Sequence, residues 1–434
     1  MTGARIGVGS AATLPARVRP RCPPGGRATP SRSCRRAAPA PPRRLPAAPV
    51  GRRPGARWAV AAAAIAAIAA TPARAEPTRV QVEAGAEYDT NVHRIERRAG
   101  EDVAVQAAPL VRVGARVRGG VRPRASHRLS YDLFAGAKRF FGDARDDAGR
   151  TPSDEDVAIV AARGAYAAAL ASRRAIVRAV GSYYDAIGDD RVDTARNFRS
   201  FDARGELVLV GPERHRFALH AGLRAFTFKP DGVFDYRADH YGARYTTEMW
   251  RSDSAGEADA SSVEVAAAYR LERRDYAGAA LTDACDPPCP APSLGRVDLF
   301  HVASIEVTYT GDRVYAARYE LQVDDSNSFG QSLVRHRVDA AVTTDVAFGV
   351  SATAKLTVLY NVFVDGLLVA RDVNAQTGVS IEDENRNGLV VHLARPLAGG
   401  WTAEARYGLW SNEFATDALR FRRQAVYAGL LYER

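Results

Sequence analysis

The chain has 434 residues, of which 60 are basic and 50 acidic, with 46% hydrophobic residues and 4 cysteines. These totals conceal a break near residue 75: residues 1–75 hold 14 arginines and no lysine or acidic residue, leaving 46 basic against 50 acidic residues in the remainder. A nucleic-acid partner, which needs basic side chains gathered on a folded face, loses its support once that leader is set apart.

Residues 1–49 are rich in Pro, Arg, Gly and Ala without an apolar period, and are given no functional role. A start within the chain, at a valine such as Val50, is compatible with this composition. Residues 50–75 read as a secretory signal peptide. An apolar stretch at 58–70 follows Arg52, Arg53 and Arg57 and precedes the A-x-A site Ala73-Arg74-Ala75. It is too short to cross a bilayer core of ~30 Å as a helix. A start of the mature chain near Glu76 is expected, with residues 76–434 as one domain.

No later stretch offers the ~20 consecutive apolar residues of a membrane helix. What recurs is alternation. Near Val80, Val111, Leu129, Phe217, Val263, Val297 and Tyr315, every second residue is apolar. After Arg337 the apolar set is Val338, Ala340, Val342, Val346 and Phe348. After Gly349 it is Ala354, Leu356, Val358, Tyr360, Val362 and Val364, opposite Lys355, Thr357, Asn361 and Asp365. Leu359 and Phe363 are apolar exceptions on that polar face. At Trp401 the set is Ala403, Ala405, Tyr407 and Leu409, opposite Thr402, Glu404 and Arg406. A period of two fits strands and not helices.

Tight turns at 211–213, 310–312, 348–350 and 396–400 alternate with longer polar links at 142–154, 281–295, 324–331, 366–379 and 411–418. Short turns on one side and longer loops on the other predict an all-β, transmembrane, antiparallel up-and-down β-barrel in the outer membrane of a Gram-negative bacterium. About 16 strands are expected, within a range of 14 to 18 because 157–170 alternates poorly; the link 251–261 is longer than its side predicts. A secreted β-sandwich or propeller is the competing reading, but it would bury large residues where this chain repeats Ala, Val, Leu and Tyr opposite Arg, Glu and Asp.

The first strand, Gly85-Ala86-Glu87-Tyr88-Asp89-Thr90-Asn91-Val92, resembles the opening strand of a group of proteobacterial outer-membrane barrels. That group includes the barrels of surface lipoprotein assembly modifiers and of exopolysaccharide-associated outer-membrane proteins. Trp401, Tyr407, Ser411-Asn412, Arg423 and Ala428-Gly429-Leu430-Leu431-Tyr432 are similar to its last two strands. The resemblance implies the barrel fold, outer-membrane lipid around it and the barrel-assembly machinery as a partner. It transfers no functional residue. The helical-repeat domain of the assembly modifiers has no counterpart before the first strand, and Glu433 and Arg434 follow the expected terminal aromatic, Tyr432.

Cys285 and Cys289, in the longest predicted outside loop, are expected to form a local disulfide in an oxidising compartment, with a metal half-site as the sharper alternative. Eight histidines are scattered singly, and His301 falls on the lipid parity of its strand. No catalytic, cofactor-binding or metal residue is assigned, and no enzyme activity or cofactor is expected. The candidate lumen-lining residues are Arg112, Arg116, Glu264, Arg270, Glu306, Arg318, Glu320, Glu404 and Arg406. Such interleaved signs can brace neighbouring strands, and they show no ring of one charge of the kind that sets strong ion selectivity. The expected function is a porin-like or envelope-export channel for small solutes, with weak charge preference. The alternatives are a non-conducting barrel that binds a periplasmic or extracellular partner, and a barrel enzyme.

Overall fold

The computed structural model describes residues 77–434 except 96, 99–103, 148, 171–173, 189–196, 230–231, 253–260, 284–288, 365–385 and 412–418. The leader and Cys285, and with it the expected disulfide, lie outside the described residues.

Sixteen antiparallel strands close into one barrel. The first eight are β1 (Arg79–Asp89), β2 (Ala108–Arg124), β3 (His127–Phe140), β4 (Val157–Leu170), β5 (Ala175–Ile187), β6 (Phe198–Val210), β7 (Arg216–Phe228) and β8 (Tyr236–Arg251). The second eight are β9 (Ser262–Thr282), β10 (Cys289–Thr310), β11 (Arg313–Ser326), β12 (Leu333–Asp345), β13 (Ser351–Phe363), β14 (Asn387–Pro396), β15 (Trp401–Ser411) and β16 (Arg422–Glu433). Every strand pairs with its sequence neighbours. β1 and β16 complete the ring in a register running from Gln81 opposite Glu433 to Asp89 opposite Ala425. Closure pairs every strand of the ring on both sides, although the ladder between β13 and β14 covers only Ser351–Thr357 of β13 among the described residues.

The alternation decides which face is which. Outward residues on successive strands are large, apolar and exposed, among them Leu219 and Leu223 on β7, Tyr241 on β8, Ile305 on β10, Leu356 and Val362 on β13, and Val426 and Leu430 on β16. A wall of exposed apolar side chains this extensive is far beyond the patches a water-soluble monomer carries. The architecture is that of a transmembrane β-barrel.

The start of β1, the end of β16 and the short turns share one rim. Single turns of 3₁₀ helix at Pro212–Arg214, Ala347–Gly349 and Ala398–Gly400 make three of these turns. The last has Gly399 at φ +70° and Gly400 at φ +81°, left-handed values that cost a glycine nothing. The long 251–261 link also sits on this rim. It is pinched at its base, where the Ser252 amide donates to the Ser261 carbonyl at 2.8 Å.

Two expectations change in detail. The segment 157–170 is a full strand, β4. Its alternation is weak because Val157 and Ile159 on its inward side are themselves buried in an apolar cluster. The loop expected over 281–295 is shorter, because β9 runs 21 residues to Thr282 and β10 runs 22 from Cys289, with register shifts around Ala279.

Candidate functional site

The inward parity identifies itself by reach, since on a concave wall side chains two strands apart can meet. Arg224 on β7 lies 3.1 Å from Glu272 on β9, and Arg244 on β8 lies 3.2 Å from Glu306 on β10. Lys138 on β3 lies 3.1 Å from Glu87 on β1, and Arg406 on β15 lies 3.2 Å from Glu83 on β1. These faces enclose a cavity of about 820 Å³ lined by side chains from ten consecutive strands, β3 to β12.

Among the described residues, nine arginines line this cavity, against three carboxylates and two histidines. Most of the arginines are tied to acids in the wall. Arg178 and Arg204 reach Glu206 at 3.6 and 2.7 Å, Arg318 pairs with Glu320, and Arg337 pairs with Asp339 at 2.6 Å. Deeper in, Arg224 bridges Asp202 and Glu272, each at 3.1 Å, while Arg274 donates to Glu272 at 2.7 Å. Glu272 and Arg274 are fully buried. Charges so far from water persist only because each is paired and hydrogen-bonded.

His220 and His240 face each other across β7 and β8 with ring centroids 5.8 Å apart. Each is in register with a glycine on the other strand, His220 with Gly242 and Gly222 with His240. A methyl group at Gly222 would stand 2.7 Å from the His240 ring and 2.5 Å from the Ala203 carbonyl, so the absence of a side chain there makes room for the imidazole. His240 Nε2 reaches Asp202 at 3.1 Å.

Towards the long-loop rim the inward face turns aromatic. Tyr184, Phe198, Phe226, Tyr236 and Tyr276, one from each strand β5 to β9, form a ladder with successive centroids 5.1 to 5.3 Å apart. The Arg274 guanidinium lies over Tyr236 and Phe300, and Arg296 over Tyr276. Rings stacked this way carry cations on their faces.

A second sector, where β1, β2, β15 and β16 meet, is packed instead of open. Arg112 pairs with Glu83 at 2.7 Å, and Arg423 donates three hydrogen bonds of 2.7 to 3.0 Å to Asp89. Tyr427 lies beneath the guanidinium groups of Arg112 and Arg406, and Trp410 beneath that of Arg423. The link after β1 folds back here, packing Val92 against the inward-facing Leu110 and Phe140. Arg97–Arg98 of that link pair with Leu419–Arg420 as a two-stranded ribbon.

The nine lumen candidates divide among these regions. Arg270, Arg318 and Glu320 line the open cavity. Arg112, Glu404 and Arg406 belong to the packed sector, where Arg406 donates to Glu404 at 2.8 Å. Arg116 is bidentate to Asp132 on β3, at 2.7 and 2.5 Å. Glu306 reaches Arg244. Glu264 is exposed opposite Glu248, whose carboxylate is taken by Arg214 and Arg251. The sequence reading did not single out Arg163, Arg216, His220, His240 or the aromatic ladder as parts of an interior site. The ladder had a signal, because Phe198, Phe226 and Tyr236 sit at the parity otherwise held by Arg and Asp. Outward His301 lies with its Nδ1 2.7 Å from the Tyr269 hydroxyl, and His336 likewise from Tyr319, so one nitrogen of each ring on the apolar wall has a partner.

No family model and no curated protein matches this chain. Among solved structures it is similar to a BenF-like porin from Pseudomonas fluorescens Pf-5 (8% identity, 82% of this chain and 98% of that one, TM-score 0.42). It is also similar to an anion-selective porin from Comamonas acidovorans (8% identity, 83% and 99%, TM-score 0.40) and to OmpT of Vibrio cholerae (12% identity, 83% and 100%, TM-score 0.35). At TM-scores below 0.5 these likenesses carry nothing about what this chain passes or binds.

Proposed function

We propose that this chain is an outer-membrane channel of a Gram-negative bacterium, porin-like or part of an envelope export system, that admits small solutes into its polar interior. The carrying observation is the cavity of about 820 Å³ walled by charged side chains of ten consecutive strands. Sixteen strands make a ring too wide for its own side chains to fill throughout. The exposed apolar outer wall supplies the lipid contact, and the barrel-assembly machinery is the expected partner in its insertion. No catalytic step is part of this reading. Purified barrel in planar bilayers is expected to give discrete current steps. Folded, heat-modifiable protein that never conducts overturns the channel.

That outcome would favour a second reading, a barrel that binds a partner through its loops. Its observation is the inward fold of the link after β1, which seats Val92 on Leu110 and Phe140.

A further inference from the structure

We propose that the open cavity is an anion-binding vestibule, with Arg163 and Arg216 as its ligand-facing cations and with solutes bearing a carboxylate or phosphate group as its occupants. The inference rests on the channel reading and names its solute class. Over the whole mature chain the charges nearly balance, but among the described residues lining this cavity nine arginines stand against the carboxylates Asp132, Glu206 and Glu320. The acids that neutralise Arg224, Arg244 and Arg337, namely Asp202 with Glu272, Glu306 and Asp339, are not among the cavity-lining side chains, whereas the arginines are. A solute inside therefore meets guanidinium groups first.

Two of these arginines have no acidic partner among the described residues, and the register shows why. Arg163 on β4 is opposite Asp132 on β3, but that carboxylate turns to β2, where Arg116 and Arg118 hold it at 2.5 and 3.2 Å. Arg216 opens β7 between Val210 and Thr246, neither of which can neutralise it. Both arginines are exposed to the cavity. A third donor adds to them. Arg270 Nε is buried without a hydrogen-bond acceptor, and its nearest carboxylate, Glu272, stands 3.8 Å away and already serves Arg224 and Arg274.

Between the arginines the wall is small, with Ala165, Val180, Ala218 and Ala268 leaving the guanidinium groups within reach of a ligand. A planar fork of N–H donors matches the paired oxygens of carboxylate and phosphate. Low-dielectric walls around charges of one sign concentrate the opposite ion. Carboxylate and phosphate share this chemistry, so the two sources are separated by experiment.

The test uses the folded mature barrel in two measurements. In planar bilayers under a potassium chloride gradient, the reversal potential is expected to show chloride preferred over potassium by roughly threefold or more. The double variant Arg163→Gln/Arg216→Gln is expected to bring the ratio close to one, and Arg163→Lys/Arg216→Lys to keep most of it. In detergent at low salt, calorimetry with succinate and with inorganic phosphate is expected to show saturable binding by at least one, about tenfold weaker in the Gln variant. Binding of succinate alone assigns carboxylate solutes, and of phosphate alone phosphorylated ones. Conducting barrels with a ratio of one or a cation preference overturn the anion vestibule and leave the channel standing. Anion binding lost with the Gln variant in barrels that never conduct does the reverse. Unchanged binding in the Gln variant overturns the assignment of Arg163 and Arg216.

Discussion

The interior of this barrel uses one set of residues in two ways. In the packed sector, Asp89, Glu83 and Glu87 meet Arg423, Arg112 and Lys138 in pairs that are nearly closed off from water. In the open sector, Arg163 and Arg216 extend into a cavity without an ion-pair partner among the described residues. Both faces alternate in the same way and draw on the same residue types. What differs is whether a nearby strand supplies the counter-charge, and that separates a braced wall from a surface able to hold a solute.

The sharpest break of this contrast is at Asp89. Asp89→Ala takes from the buried Arg423 guanidinium the carboxylate that accepts three of its hydrogen bonds, and is expected to cost about 3–5 kcal/mol in urea titrations in lipid vesicles. A loss no larger than that of an exposed arginine would show that the packed sector is not sealed. The inward and outward assignment is tested next. Val358→Arg points into lipid and is expected to cost about 2–4 kcal/mol, against little for Thr357→Arg, whose new side chain faces Asp339. Equal costs would refute the register.

Within the open sector, Gly222→Ala is expected to cost about 1–3 kcal/mol by displacing the His240 ring. Arg163→Ala and Arg216→Ala are expected to stay within about 0.5 kcal/mol of the parent barrel, because no folded-state partner is lost. A large destabilisation there would erase the difference between the sectors.

The smallest effect lies in the β3–β4 link, which orders itself by a local ion pair. Burial would raise the Asp146 carboxyl, but the backbone and side-chain hydrogen bonds from Arg150, with its charge, hold it below its ordinary value. A depressed carboxylate contributes stability that is fully present above its unfolded-state pKa and is lost as pH falls through the folded one. Hydrogen exchange at the Arg150 amide is therefore expected to quicken on acidification below the usual carboxylate range, and Asp146→Asn to remove that dependence.

Much of the architecture was legible in the residues. Alternation with Lys355 and Asp365 on one parity placed Val358 and Val362 outside, and Gly311 and Gly399–Gly400 marked turns that the structure retains. The count of about 16 strands rested on the same signal. The site was less legible. Arg270 and Arg112 look alike in sequence, each inward on its strand and each flanked by acids two residues or one strand away, yet one lines the cavity and the other is buried over the Tyr427 ring. Leu359 and Phe363, exceptions to the polar face, belong to an interior that is not uniformly wet: Leu359 is buried and Phe363 is opposite buried Leu333.

The sequence by itself determined the period, which rim carries the short turns and, to within a hairpin, the number of crossings, because these depend on side-chain direction and turn chemistry within a dozen residues. Only the closed barrel decided which charges are quenched. That depends on the stagger with which the ring closes, which brings Glu83 to Arg406 across 323 positions of chain and turns Asp132 away from Arg163. A period of two gives the side of the wall, and the curvature of the whole ring gives the neighbour.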